Sequence, residues 1–313
     1  MKAIRYERYG GPDVLHLEEV DRPDPADDEV LVRVAAASVN PFDYHFMRGT
    51  PYPLRAIAGW RRPKPGRRTL GIDFAGTVEA VSSTVTRFRP GDEVFGLSPG
   101  AFGEFVRASE EHVAGRPPGV PAEHAAVAPV AGLTALQGLR DHGRLQAGER
   151  VLVNGASGGV GTFAVQIARS LGAEVTGVCS TRNLELVESI GAEHVIDYTE
   201  EDFTTQNQQY DLVFDAVGNR SLGELKRAIA PDGRLVAAAG SIPRGLWLKL
   251  AGRGRMMSFT AQRDADDLAI LAEMMADGEV RPVIDRRYPL AEVPEGIRYL
   301  EEGHARGKVV ISV

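Results

Sequence analysis

With 313 residues, the chain is too long for one ordinary core and suits two domains. Hydrophobic residues at 43% and charged residues at 25% exclude wholesale disorder, collagen-like chains and coiled coils. A net charge of −7 argues against a general nucleic-acid binder, whose footprint would be basic. The N-terminus, Met1-Lys2-Ala3-Ile4-Arg5-Tyr6-Glu7-Arg8, mixes charges through its apolar residues and has no signal-peptide core. Residues 30–35 and 76–81 read as strands, and Pro90-Gly91-Asp92-Glu93 reads as a turn feeding a strand at 94–96. Helical periodicity is nearly absent before residue 124. After that point, apolar strand-like runs recur at 151–154, 174–179, 194–196, 211–215 and 234–239, with helical stretches between them. The clearest helix is 161–171, where Ala164, Ile167, Ala168 and Leu171 fall on one face. Strand and helix alternating in this way predict an α/β fold with a parallel sheet covered on both faces. A long helix at 264–277 and a terminal strand at 308–313 close the chain. Cys179 is the single cysteine; it cannot form an internal disulfide or a multi-cysteine zinc site, and it suits a reducing cytosol. No apolar run approaches the roughly 18 residues of a bilayer span, so no membrane partner is expected. The expectation is a soluble, cytoplasmic protein.

The strongest local feature is Arg150-Val151-Leu152-Val153-Asn154-Gly155-Ala156-Ser157-Gly158-Gly159-Val160-Gly161. Ala156-x-Gly158-x-x-Gly161 follows the dinucleotide fingerprint, with alanine at its first glycine. Gly158 lets the backbone approach a pyrophosphate, Gly161 lets the helix pack closely on the strand, and the helix N–H groups face the phosphates. A tight β–α turn uses glycines too, but the flanking strand, amphipathic helix and second strand favour a cofactor. Asn154, Ala156, Ser157, Gly158, Gly159, Val160 and Gly161 are the candidate contacts. The second strand should end with the residue that reads the adenosine ribose, and an NAD site would place an acid there. This chain has Ser180, Thr181 and Arg182, which suit a 2′-phosphate and point to NADPH. Arg182 as a solvated helix-start residue is the alternative.

Taken in order, several short runs resemble one family. They are Ser38-Val39-Asn40-Pro41-x-Asp43, Leu70-Gly71-Ile72-Asp73-Phe74-Ala75-Gly76, Arg89-Pro90-Gly91-Asp92-Glu93-Val94 and Gly132-Leu133-Thr134-Ala135. Gly158-Gly159-Val160-Gly161, Leu171-Gly172-Ala173, Ile190-Gly191-Ala192 and Gly307-Lys308-Val309-Val310 follow. Over essentially its whole length the chain resembles the medium-chain dehydrogenase/reductase superfamily, in its zinc-independent, zeta-crystallin-like quinone oxidoreductase branch. The resemblance implies a GroES-like, β-rich catalytic domain over 1–125 and a Rossmann NADPH-binding domain over 126–260. It also implies a C-terminal return to the catalytic domain over 261–313, with the cofactor in the cleft between domains. Zinc-dependent relatives would have a ligand cysteine around 40–45 and a His-Glu pair where this chain reads Ile72-Asp73. Neither is present, and tetrahedral zinc needs about three such side chains, so no metal is expected.

Carried over position by position, Thr134 resembles a threonine close to the nicotinamide. Tyr198 resembles a tyrosine lining the 2′-phosphate and adenine pocket. Val217 and Gly218, then Ala239, Gly240 and Ser241, should edge the nicotinamide ribose, with core packing the alternative for Val217. Lys308 resembles a lysine reaching back toward the cofactor. Asn40, Asp43, His45 and Tyr52 fall in the loop that the resemblance places over the nicotinamide. His45 stands where relatives often carry tyrosine and could donate a proton near neutral pH, whereas Asn40 and Asp43 could equally pin the loop. Residues 55–68 hold Arg55, Arg61, Arg62, Lys64, Arg67 and Arg68 with no acid, readable as a positive rim or as a solvated loop. The expected activity is hydride transfer from NADPH to a quinone, an enone or a related activated carbonyl, by a homodimer acting on a small molecule. A zinc-independent alcohol or aldehyde oxidoreductase, or a nucleotide-binding scaffold with residual activity, are the alternatives.

Overall fold

A computed structural model describes residues 1–238 and 255–313. The chain divides into two compact units, residues 1–130 with 263–277 and 284–313, and residues 131–262 with 278–283. The first unit starts with an antiparallel ribbon of β1 (Lys2–Arg5) and β2 (His16–Glu19). A sheet follows, built from β3 (Glu29–Val39), β4 (Asp73–Val81), β5 (Glu93–Leu97), β6 (Phe105–Ser109) and β7 (Val113–Gly115). The valine-rich β3 buries Val30, Leu31 and Val32 completely, as a central strand paired with β4 on one edge and β6 on the other.

Sequence periodicity left the stretch before residue 124 almost without helix, yet Pro41–Arg48 is helical. The helix is too short to show two apolar turns, and its ends specify it instead. Pro41 at the first position has a preset φ, and the Asp43 carboxylate accepts the Asn40 N–H at 2.7 Å. Gly49, at φ +61°, closes the last turn in the left-handed region.

In the second unit, β8 (Arg150–Asn154), β9 (Glu174–Cys179), β10 (His194–Asp197), β11 (Tyr210–Asp215), β12 (Ile229–Ala237) and β13 (Met256–Ser258) are all parallel. Their order across the sheet is β10-β9-β8-β11-β12-β13, the doubly wound arrangement whose order reverses between β8 and β11. Val151, Leu152 and Val153 are fully buried, as a strand covered on both faces requires. The helix Gly159–Ser170 packs beside it with Phe163, Ala164, Val165, Ile167 and Ala168 buried. The helix Ala265–Ala276, capped by the Asp264 carboxylate, belongs to the first unit. There β14 (Ile284–Pro289) and β15 (Lys308–Ser312) complete the first sheet in the order β14-β15-β3-β4-β5-β7, with β6 also pairing β3. Ile4, Tyr6, Phe74, Phe102 and Ile311 lie at the centre of that unit's core.

Candidate functional site

The second unit presents the glycine turn at the carboxyl end of β8, next to the point where strand order reverses. That is where open α/β sheets bind their ligands. Gly155 takes φ +88°, and its N–H and that of Ala156 both donate to the Val178 carbonyl, so the tight turn is made one residue ahead of the fingerprint's first position. A Cβ on Gly161 would lie 2.0 Å from the Gly155 carbonyl oxygen, so this glycine is required by the closeness of helix and turn. A Cβ on Gly158 would meet only that same oxygen, at 3.4 Å, so the space over Gly158 is open. The helix Gly159–Ser170 has no side-chain cap, which leaves the N–H groups of Gly159, Val160 and Gly161 at its positive end for a pyrophosphate.

Asn183, which the sequence reading did not single out, ties the turn to the end of β9. Its amide donates to Ser157 Oγ at 3.0 Å and to Ser180 Oγ at 3.2 Å. Its Oδ1 is buried with no hydrogen-bond partner among the described residues. Thr181, Arg182 and Tyr198 are exposed at the same strand ends, and Thr181 Oγ1 lies 2.9 Å from Thr199 Oγ1. Asn154 is placed differently from a ligand contact: its amide donates to Asp215 at 2.9 Å and to Asn219 at 3.2 Å. Asp215 also accepts the N–H groups of Val217 and Gly218, which fixes the loop after β11 and leaves Val217 47% exposed rather than packed in the core. Thr134 lies half-buried in the helix Pro129–Gln137. Ala239, Gly240 and Ser241 lie outside the described residues.

The first unit holds a buried polar cluster where β3, β4 and β15 meet the helix Pro41–Arg48. Asp73 accepts from Ser38 Oγ at 2.7 Å, from Asn40 Nδ2 at 2.9 Å and from the Val130 N–H at 3.1 Å. The Lys308 ammonium lies 2.7 Å from Asn40 Oδ1 and 3.6 Å from Asp73 Oδ2. Asp43 accepts the Gly71 N–H at 3.0 Å as well as that of Asn40. Burial pushes the Asp43 carboxyl up to about 7, against the pull of those two N–H groups, and burial lowers Lys308 below the usual lysine value. Asn40 and Asp43 thus fasten the N-terminus of the helix Pro41–Arg48 to the sheet, where a loop was expected, and the Lys308 head group faces this cluster. Asp73 and Ser38 were missed. A charged residue inside the apolar run Gly71-Ile72-Asp73-Phe74-Ala75 was the available signal, because a buried acid demands partners. His45 is half-buried with its ring against Tyr44, and Tyr52 is 67% exposed with the Arg55 guanidinium over its ring.

Two family profiles match the chain. The alcohol dehydrogenase GroES-like domain matches residues 26–129, and a zinc-binding dehydrogenase profile matches residues 190–311. The 2-methylene-furan-3-one reductase of Solanum lycopersicum is 34% identical over 99% of this chain and 79% of its own length. The NADPH-dependent alkenal/one oxidoreductase of Arabidopsis thaliana chloroplasts shares the same identity and coverage. Among solved structures, the quinone oxidoreductase from Coxiella burnetii superposes with a TM-score of 0.91 at 31% identity, over 100% of this chain and 99% of that one. A GroES-like unit followed by a doubly wound nucleotide-binding unit, matched along its whole length, places the chain in the medium-chain dehydrogenase/reductase superfamily, within its quinone oxidoreductase branch.

Proposed function

We propose that the chain is a zinc-independent reductase that uses NADPH to reduce a quinone, an enone or a related activated carbonyl. The observation that carries this reading is the open turn at Gly158 beside β9, which is followed by Ser180, Thr181 and Arg182 with no acid in that run. When bound, NADPH supplies a hydride from C4 of its nicotinamide. The N–H groups of Gly159 to Gly161 receive the pyrophosphate, while Ser180, Thr181 and Arg182 hold the 2′-phosphate and Tyr198 flanks it. Thr134, Val217 and Gly218 serve the nicotinamide end. The names of the similar proteins, an alkenal/one oxidoreductase, a furanone reductase and a quinone oxidoreductase, support the acceptor class.

In the first unit, His45 and Tyr52 supply the N–H and O–H donors that stabilise charge developing on the acceptor oxygen, and Asn40 and Asp43 keep the helix that carries His45 in place. The zinc-free reading is supported by donor chemistry. Among the described residues no three His, Cys, Asp or Glu side chains cluster as a ligand set, and both acids at the corresponding positions are engaged by internal donors. We also assign a homodimer, supported by β13 standing at the end of the sheet among the described residues, and a cytoplasmic location, supported by the single buried thiol Cys179. Stopped-flow oxidation of NADPH with a panel of quinones, enones and aldehydes tests the activity. Turnover on quinones or enones is expected, and tight NADPH binding without turnover on any acceptor overturns it.

A further inference from the structure

The basic run after residue 55 has no part in the reductase reading, and its shape is distinctive. The Lys64 N–H donates to the Ala58 carbonyl at 2.7 Å, so the chain turns back on itself within six residues. Gly59 sits at φ +124°, and a Cβ there would lie 2.1 Å from the Arg62 carbonyl oxygen, which shows how tight the turn is. The base is anchored: Ala58 and Pro63 are buried, and the Tyr9 hydroxyl donates to the Gly59 carbonyl. What projects from this base is apolar and cationic. Trp60 is 69% exposed and Ile57 57% exposed, beside the exposed Arg61, Arg62 and Lys64.

Their neighbours Arg55 and Arg68 are engaged, the first over the rings of Tyr9 and Tyr52 and the second with Glu7 at 3.0 Å. Arg61, Arg62 and Lys64 form no ion pair among the described residues. No acid occurs between Asp43 and Asp73, in a chain whose net charge is −7. A pinned tip that carries tryptophan and isoleucine among unpaired cations matches the chemistry of an anionic bilayer surface. There an indole is favoured at headgroup depth, and each cation gains from the surface potential.

We propose that the loop 57–64 docks the protein onto an anionic lipid bilayer, with Trp60 and Ile57 among the headgroups and Arg61, Arg62 and Lys64 on lipid phosphates and carboxylates. The expectation of no membrane partner rested on the lack of a spanning run, and a surface loop is a separate signal. Each cation near such a surface contributes about fivefold in affinity, so three contribute about a hundredfold.

Sedimentation of the full chain with vesicles of phosphatidylcholine alone, and of phosphatidylcholine with phosphatidylserine, tests this without substrate and so independently of the reductase reading. Trp247→Phe leaves Trp60 as the single tryptophan, whose emission reports the depth of the tip. We expect binding to the anionic vesicles only, a blue shift of Trp60 on binding, and release at high salt. The triple variant Arg61→Gln/Arg62→Gln/Lys64→Gln should bind about a hundredfold more weakly, and Trp60→Ser should weaken binding with an unchanged melting midpoint. No sedimentation with anionic vesicles at low salt, or full binding by the folded triple variant, overturns the proposal. So does binding with no shift in Trp60 emission.

Discussion

Replacing Lys308 with methionine removes the one ammonium from the buried cluster of the first unit while nearly preserving side-chain volume. Lys308 is 4% exposed and Asp73 is fully buried, with 3.6 Å between their charged atoms. At that distance and an effective dielectric near 20, the attraction is about 4–5 kcal/mol. Desolvation of both groups offsets much of it in the intact protein. The cost of the substitution is set by what stays behind, an acid without its counter-ion, and for buried pairs that is about 3–5 kcal/mol. Asp73 keeps the donors Ser38, Asn40 and Val130, which argues for the lower end, about 3 kcal/mol. At about 2–4 °C per kcal/mol for a chain of this size, the melting midpoint should fall by roughly 6–12 °C.

Calorimetry of Lys308→Met, Asp73→Asn and the double variant separates the pair from its surroundings. The double variant should be more stable than the sum of the singles predicts, because it removes the orphaned charge together with its partner. A midpoint for Lys308→Met within about 2 °C of the unsubstituted protein refutes this account. Additive losses in the double variant do so too. NADPH titration adds a second axis. A lysine whose main role was to hold the cofactor would weaken NADPH binding on substitution and leave the midpoint in place.

Gly158→Val should abolish NADPH binding with little change in melting, because its Cβ has room; Gly161→Val should unfold the second unit, because its Cβ would lie 2.0 Å from a carbonyl oxygen. Arg182→Ala should erase most of an NADPH-over-NADH preference that we set at roughly tenfold or more, measured as the ratio of the two dissociation constants. Exhaustive chelation should leave activity intact, and elemental analysis that finds one zinc per chain, lost together with activity, would contradict the zinc-free reading. The Asp43 carboxyl, raised from 3.8 to about 7, holds a proton in the folded state that the unfolded chain releases above about pH 4. Its contribution to stability is therefore full below about pH 4 and falls as pH rises through about 7. Melting curves of the unsubstituted protein minus Asp43→Asn should show that decline, and a difference that grows with pH would refute it.

The second unit was legible because a parallel sheet leaves a strong imprint: fully buried strands are runs such as Val151-Leu152-Val153, and the turn between strand and helix demands glycine. The strand expected at 234–239 proved to start earlier, at Ile229, since Pro231, Asp232 and Gly233 disguise its first half. The first unit was harder. Its short helix Pro41–Arg48 carries too few turns for periodicity, and the helix Val293–Glu301 is nearly as short, with Pro294 in its first turn. Asn183 and Asp73 escaped for a different reason. Each matters through partners far along the chain, 26 residues to Ser157 in one case and 35 to Ser38 in the other, and local pattern does not report such pairs.

The cluster around Asp73 draws on two segments of the first unit. In zinc-dependent relatives the resemblance puts metal ligands in two segments, around 40–45 and at 72–73. In this chain the same two segments are fastened directly, by Asp43 to the Gly71 N–H and by Asn40 to Asp73. Charge is balanced from a third strand, by Lys308 of β15. With both acids ionised the cluster would carry one net negative charge in a site without water access, which is costly. The raised Asp43 value brings it to neutrality when the proton is bound, leaving a single Asp73–Lys308 pair surrounded by donors and acceptors. The two substitutions should therefore differ in kind. Asp43→Asn keeps the cluster neutral and weakens the helix cap, whereas Lys308→Met leaves Asp73 without its cation and with Ser38, Asn40 and Val130 as its remaining donors.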